Sequence, residues 1–160
     1  MRSLEMLMEK IKSCALCLNF SDQSPCAICA DNKRHPHILC TVAEPQDIEV
    51  FESTKAFNGR YFLLRGTIDP DDDESIRRLP IETLLQRIEE NGIKEILLGL
   101  NHDMRGETTS LYIQQTIQKK YPSVRITRLA RGLAMGSDVQ YADTITLGSA
   151  IMHRTEMREV

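Results

Sequence analysis

At 160 residues, 41% of them apolar, the chain can hold one compact α/β domain with a small module but not two full domains, and wholesale disorder is excluded. Its longest apolar runs, such as Ile96-Leu97-Leu98-Gly99-Leu100, are too short to cross a membrane as a helix. A net charge of −3, from 20 Lys and Arg against 23 Asp and Glu, excludes a globally basic nucleic-acid binder but not a local basic patch or a basic partner.

The start, Met1-Arg2-Ser3-Leu4-Glu5, has charge every few residues and no apolar h-region, so no secretory signal is expected. Residues 1–13 read as a helix with Leu4, Leu7, Met8 and Ile11 on one face. The next segment, 14–37, carries the most specific signal. Cys14-Ala15-Leu16-Cys17 and Cys26-Ala27-Ile28-Cys29 are two CxxC knuckles, and each short turn presents two sulfurs to one ion. Without an export signal such cysteines point to the reducing cytoplasm, where paired motifs read as metal sites rather than disulfides. The segment is too poor in large apolar residues to build a core. A structural Zn²⁺ held by Cys14, Cys17, Cys26 and Cys29 would supply folding free energy on the order of 10 kcal/mol. Four thiolates leave no open coordination position, so the site is structural rather than catalytic. The competing reading is a set of free thiols, with His35 and His37 as possible substitute ligands. Cys40, in Ile38-Leu39-Cys40-Thr41-Val42, reads as a small buried hydrophobe.

From Ile38 to Ala130 strand and helix patterns alternate. Strands are predicted over Ile38–Ala43, Tyr61–Leu64, Ile93–Leu100 and Val124–Leu129. Helices are predicted over Pro45–Ser53, with Pro at the first position, around Ile81, Leu84, Leu85 and Ile88, ending at Asn91-Gly92, and over Glu107–Lys120, stopped by Pro122. Asp69-Pro70-Asp71-Asp72-Asp73-Glu74 reads as a solvated connector. Such alternation argues for a parallel sheet flanked by helices on both faces, with ligands at the carboxyl ends of the strands. Glu44 ends the first strand there, and Asn101-His102-Asp103 ends the third. Acids converging from two strand ends can hold Mg²⁺, though charged strand ends are common without an ion.

Val42-Ala43-Glu44-Pro45-Gln46-Asp47 and Asn101-His102-Asp103-Met104-Arg105-Gly106-Glu107-Thr108-Thr109 together resemble a Toprim domain, the fold shared by topoisomerases and primases. With the four-Cys module in front and Arg131-Gly132-Leu133-Ala134-Met135-Gly136-Ser137-Asp138-Val139-Gln140-Tyr141-Ala142-Asp143 behind, the chain is similar to the RecR family of bacterial DNA-repair proteins. The resemblance runs over about Leu4 to Met152. It implies a four-Cys zinc module, then a Toprim-type parallel sheet flanked by helices, then a C-terminal signature loop and tail over 131–160. Asn101 stands where Toprim enzymes carry an Asp, Ala134 where the family usually has Pro, Ser137 where it usually has Gly, and His102 where Pro is common.

The resemblance implies a non-enzymatic mediator that clamps DNA and binds RecO-type and RecF-type proteins to load a recombinase on single-stranded gaps, as a dimer or tetrameric ring. Glu44, Asn101, Asp103 and Glu107 would then form a partner-binding crevice. The family's helix-hairpin-helix domain is expected to be absent from this chain, with residues 1–13 its remnant. The main alternative is a Mg²⁺-dependent Toprim nuclease or primase-like enzyme using Glu44, Asp103 and Glu107; a zinc-stabilised interaction module without a DNA role is a third reading. Lys10, Lys12, Lys33, Arg34, Arg125, Arg128 and Arg131 are the candidate DNA contacts.

Overall fold

Strands that are buried on both faces need apolar residues at consecutive positions, and the Ile38–Val42 segment supplies them. It forms β3, and Arg60–Leu63 (β4), Glu95–Leu98 (β5) and Arg125–Arg128 (β6) complete an all-parallel sheet of order β4-β3-β5-β6. A computed structural model describes residues 11–157 of the chain. Leu39 pairs in register with Ile96, and Cys40 with both Tyr61 and Leu97, so alternate positions sort cleanly between two cores. Leu39, Phe62, Leu64, Ile96 and Leu98 belong to one core together with two helices, α4 (Ile81–Glu90) and α5 (Met104–Lys120). Cys40, Val42, Tyr61 and Leu63 form the other with Ile48 of α2 (Pro45–Thr54), and Phe51 packs against it. Each large apolar side chain buried this way contributes roughly 1.5–3 kcal/mol.

The helices start and stop where local chemistry directs. Pro45 occupies the first turn of α2, the Glu44 amide donates to Asp47 Oδ2 at 2.9 Å, and Lys55 ends the helix in the left-handed region at φ 55°. The stripe Ile81, Leu84, Leu85 and Ile88 buries α4, and Gly92 at φ 58° turns the chain away from it.

The cysteine segment lies along β4, an edge strand. Lys12–Ser13 (β1) and Phe20–Ser21 (β2) pair antiparallel, and Ala27–Ala30 (α1) is a single turn. The Leu63 amide donates to the Cys17 carbonyl at 2.8 Å, so the module occupies hydrogen-bonding groups that an open edge would expose. Arg65, itself left-handed at φ 59°, donates through Nη2 to Ser13 Oγ and to the Leu18 carbonyl, each at 2.6 Å, and its guanidinium lies 4.8 Å from the centre of the Phe20 ring. Leu18 packs against both sheet cores.

Residues from Leu129 onward form a second unit. It contains a 3-10 turn at Val139–Tyr141 and a helix, α6 (Thr144–Met152), whose N-cap Asp143 accepts from the Thr146 amide at 2.8 Å.

Several expected boundaries move. Lys12 and Ser13 lie in β1, so the helix expected over 1–13 does not reach them; residues 1–10 lie outside the described residues. Ile93 and Leu100 are buried but fall outside the β5 ladder. The acidic connector closes as a turn through an Asp69–Asp72 bridge and then starts a short helix, α3 (Glu74–Arg78). The helix expected from Glu107 begins at Met104, because Asp103 caps it. The expected 131–160 loop and tail includes α6, masked in the sequence by the poor helix formers of Thr144-Ile145-Thr146 and announced only by the Asp143 cap. Among the described residues no helix is long and apolar enough to cross a membrane.

Candidate metal centre and carboxyl-end crevice

Cys14, Cys17, Cys26 and Cys29 come together as the spacing predicts. Their Sγ atoms all lie within 4.8 Å of one another, and the Cys17–Cys26 pair is 3.6 Å apart. Bonds of about 2.3 Å to a tetrahedral Zn²⁺ place the sulfurs roughly 3.8 Å apart, so the cluster is the right size. Backbone turns hold the knuckles. The Leu18 amide donates to the Cys14 carbonyl at 2.9 Å with Leu18 at φ 63°, the Ala30 amide to the Cys26 carbonyl at 2.9 Å, and the Ala15 amide to Ser24 Oγ at 2.9 Å. The Cys26 amide donates to Cys14 Sγ at 3.3 Å.

All four thiols are at most 6% exposed, and the acidities of Cys17, Cys26 and Cys29 diverge. The hydrogen bond from Cys17, helped by the positive charge of Arg87, lowers the Cys29 thiol to about 5. The same pairing, then burial, raises Cys17; burial raises Cys26. A bound cation favours the deprotonated form of every ligand, so zinc binding releases the protons that the raised thiols hold. Arg87 is 5% exposed, and its Nε and Nη1 have no hydrogen-bond partner among the described residues. The histidines are not part of the cluster: His35 is exposed, and His37 Nδ1 faces the Gly92 carbonyl at 2.9 Å. Cys40 is fully buried, and burial pushes its thiol up to about 12, as expected of a hydrophobic stand-in.

At the carboxyl end of the sheet Glu44 follows β3 and Asn101 follows β5, while Asp103 is the N-cap of α5 and Glu107 lies in its first turn. The Gly99 amide donates to the Thr41 carbonyl at 2.9 Å, extending the β3–β5 pairing toward Glu44 and Asn101. Glu44, Asn101 and Asp103 are exposed. Asp103 Oδ1 accepts from the Gly106 amide at 2.7 Å and so caps α5. Glu107 is half-buried, with its carboxylate 3.5 Å from Arg128 Nη1. Gly106 is required: a Cβ there would lie 1.9 Å from the Asn101 carbonyl oxygen. Close by, Arg105 pairs with Asp69 at 2.5 Å, and the Thr109 hydroxyl accepts from the Ile68 amide at 2.8 Å. Among the described residues the cysteine cluster is the group of three or more acidic, His or Cys side chains placed to share an ion; Glu44, Asp103 and Glu107 are not so gathered.

The candidate DNA contacts differ in their surroundings. Lys10 lies outside the described residues, Lys12 and Lys33 are exposed, and Arg131 lies in the second unit. Arg34 departs from the expectation. Its side chain is mostly buried, gripping both oxygens of Glu52 and the Gly59 carbonyl at 3.2 Å. Glu52 also accepts from the Tyr61 hydroxyl at 2.7 Å, and the hydrogen bond from Arg34 holds its carboxyl below the usual range. Arg125 pairs with Glu95 and Arg128 with Glu107. Sequence reasoning missed Arg65, which joins the cysteine module to the body through Ser13, Leu18 and Phe20.

A four-cysteine module seated on a Toprim-like sheet defines the class, and the family comparisons follow the same order. The model of the RecR four-cysteine zinc finger domain matches residues 11–31, a Toprim domain model matches 37–130, and "RecR, C-terminal" matches 132–155. The recombination protein RecR of Syntrophotalea carbinolica is 39% identical over 151 residues, covering 94% of this chain and 75% of that protein. RecR of Acidothermus cellulolyticus is 42% identical over 149 residues (93% and 74%), and RecR of Pelotomaculum thermopropionicum 38% over 157 (98% and 78%). The chain belongs to the RecR family of recombination proteins. Its four-cysteine cluster is the family's zinc centre, a closed structural site.

Proposed function

We propose that the protein mediates recombinational DNA repair in the cytoplasm without catalysing a reaction, docking RecO-type and RecF-type proteins and clamping DNA as a homo-oligomer so that a recombinase can load on single-stranded gaps. The observation that carries this reading is how the acids at the carboxyl end of the sheet are used. Asp103 caps α5, Glu107 pairs with Arg128, and Asn101 stands where a Toprim enzyme has a carboxylate. Hard Mg²⁺ chemistry needs several free oxygen ligands at one point, and these commitments oppose it. Negative charge at Glu44 and Asp103 instead complements Lys and Arg on a partner and repels phosphates. DNA contact then falls to exposed cations such as Lys12 and Lys33, giving weak binding with a steep salt dependence.

The test is a nicking and synthesis assay with Mg²⁺ and Mn²⁺ on the parent and Glu44→Ala, beside DNA capture with and without a RecO-type protein. The expected result is no turnover and stronger DNA capture with the partner. Metal-dependent cleavage or synthesis by the parent that disappears in Glu44→Ala contradicts the reading and supports a Toprim enzyme.

A further inference from the structure

The amino end of the parallel sheet carries a cavity separate from both the cysteine cluster and the acidic crevice. Three strand starts meet there. The Lys94 amide donates to the His37 carbonyl at 2.9 Å, and the Arg125 amide donates to the Lys94 carbonyl at 2.9 Å. His37, Lys94 and Arg125 therefore stand side by side where the chain enters β3, β5 and β6. With His35, Pro36 and Ile38 they line an open cavity of about 470 Å³, within the roughly 300–1,000 Å³ of small-ligand clefts.

The unmatched charge of this cavity is positive. Glu95 is the one carboxylate among the described residues lining it, and it is already held by Arg125 and by the Thr127 hydroxyl, which donates to it at 2.9 Å. Lys94 and His35 are exposed, and neither side chain has a partner among the described residues. His37 is fixed in place: its Nδ1 lies 2.9 Å from the Gly92 carbonyl and 3.3 Å from that of Asn91, and since both can only accept, Nδ1 donates. Pro36, Ile38 and the two imidazole rings offer apolar and flat surfaces for a base, while Lys94 offers a donor for a phosphate. An acidic peptide brings charge but no ring to fill the apolar part. The acids at the other end of the sheet do not oppose an anion here. The four residues of β5, at about 3.3 Å each, separate the two ends by roughly 13 Å, beyond the screening length of about 8 Å at physiological salt.

We propose that this cavity is a contact site for single-stranded DNA, taking one nucleotide with its base against Pro36, Ile38 and the histidine rings and its phosphate on Lys94. The sheet then divides its work between its ends, with the acidic end turned to protein and the amino end to the strand.

The site rests on the DNA-clamping function, and the experiment separates the two. Binding of a fluorescein-labelled dT oligonucleotide and of an abasic strand of equal length is measured across a salt series on the zinc-loaded full chain. Lys94→Gln, His35→Ala and Lys119→Gln are compared with the parent, and equal melting temperatures check that each folds. Lys94→Gln is expected to bind more weakly at low salt. Its slope of log affinity against log salt is expected to be shallower by about 0.7, the loss of one single-strand phosphate contact. His35→Ala is expected to lose the preference for dT over the abasic strand. Lys119→Gln makes the same charge change at the far end of α5 and is expected to match the parent. Parent-like affinity and slope in Lys94→Gln, an equal loss in Lys119→Gln, or an undiminished base preference in His35→Ala overturns the site. A parent that binds the abasic strand as well as dT overturns it too, as does thymidine monophosphate displacing the strand at equal nucleotide concentration. A parent that captures no DNA, alone or with a RecO-type protein, overturns the DNA-clamping reading beneath it.

Discussion

Residues 14–30 draw four cysteines inward and contribute few large apolar side chains of their own, whereas residues 38–128 bury two apolar layers on either side of a parallel sheet. The first region is organised around a point and the second around a surface. That difference sets what each tolerates. A centre that depends on one ion fails in a single step, while a core of many side chains loses its stability in increments. It also shows why the module lies on β4: with little apolar surface of its own, it borrows the sheet through Leu18, Arg65 and the Cys17 carbonyl.

The comparison breaks most sharply at a ligand. Cys26→Ser is expected to lose stoichiometric zinc, to forfeit folding free energy on the order of 10 kcal/mol within the module, and to open residues 11–31 to proteolysis while the sheet persists. Elemental analysis with limited proteolysis checks it; one zinc per chain in that variant contradicts the four-Cys site. Gly106→Ala does the reverse. Its Cβ collides with the Asn101 carbonyl, so the crevice loop must shift at a cost on the order of 3 kcal/mol, with zinc content unchanged. Denaturant midpoints and metal analysis on one sample check both halves.

A smaller effect distinguishes the two regions by pH. Arg34 holds the Glu52 carboxyl below its ordinary range, so between the folded and unfolded values the unfolded chain binds more protons. The stabilisation is fully present above the unfolded carboxylate value of about 4.3 and is lost as pH falls through the folded one. Glu52→Gln is expected to cost roughly 2 kcal/mol near neutrality and to converge with the parent in acid. Chemical unfolding across a pH series measures it, and a parallel offset at every pH contradicts the role of the Arg34–Glu52 pair.

Much of this was legible because some constraints are local. Two sulfurs per tight turn require CxxC, and a helix against a sheet requires the stripe at Ile81, Leu84, Leu85 and Ile88. Pairings across the fold leave no such trace. Arg34 reads as a surface cation because Glu52, the carboxylate it grips, is eighteen residues away in sequence, and Arg65 leaves no signal because its contacts exist only where the module meets the body. The start of α5 was misplaced for a related reason. Gly106 suggested a boundary, yet it sits inside the first turn because the Asn101 carbonyl leaves no room for a side chain.

The central claim, that the carboxyl end of the sheet is a docking surface rather than a catalytic one, is tested most directly by the affinity of a RecO-type protein for the parent, Glu44→Lys and Asp103→Asn across a salt series. Asp103→Asn removes the charge while retaining a side chain that can cap α5, so it isolates electrostatics from folding. The account predicts weaker partner binding in both variants, the larger loss with Glu44→Lys and at low salt, with DNA binding unchanged or slightly improved. Partner affinity equal to the parent's in both variants at every salt concentration would contradict it.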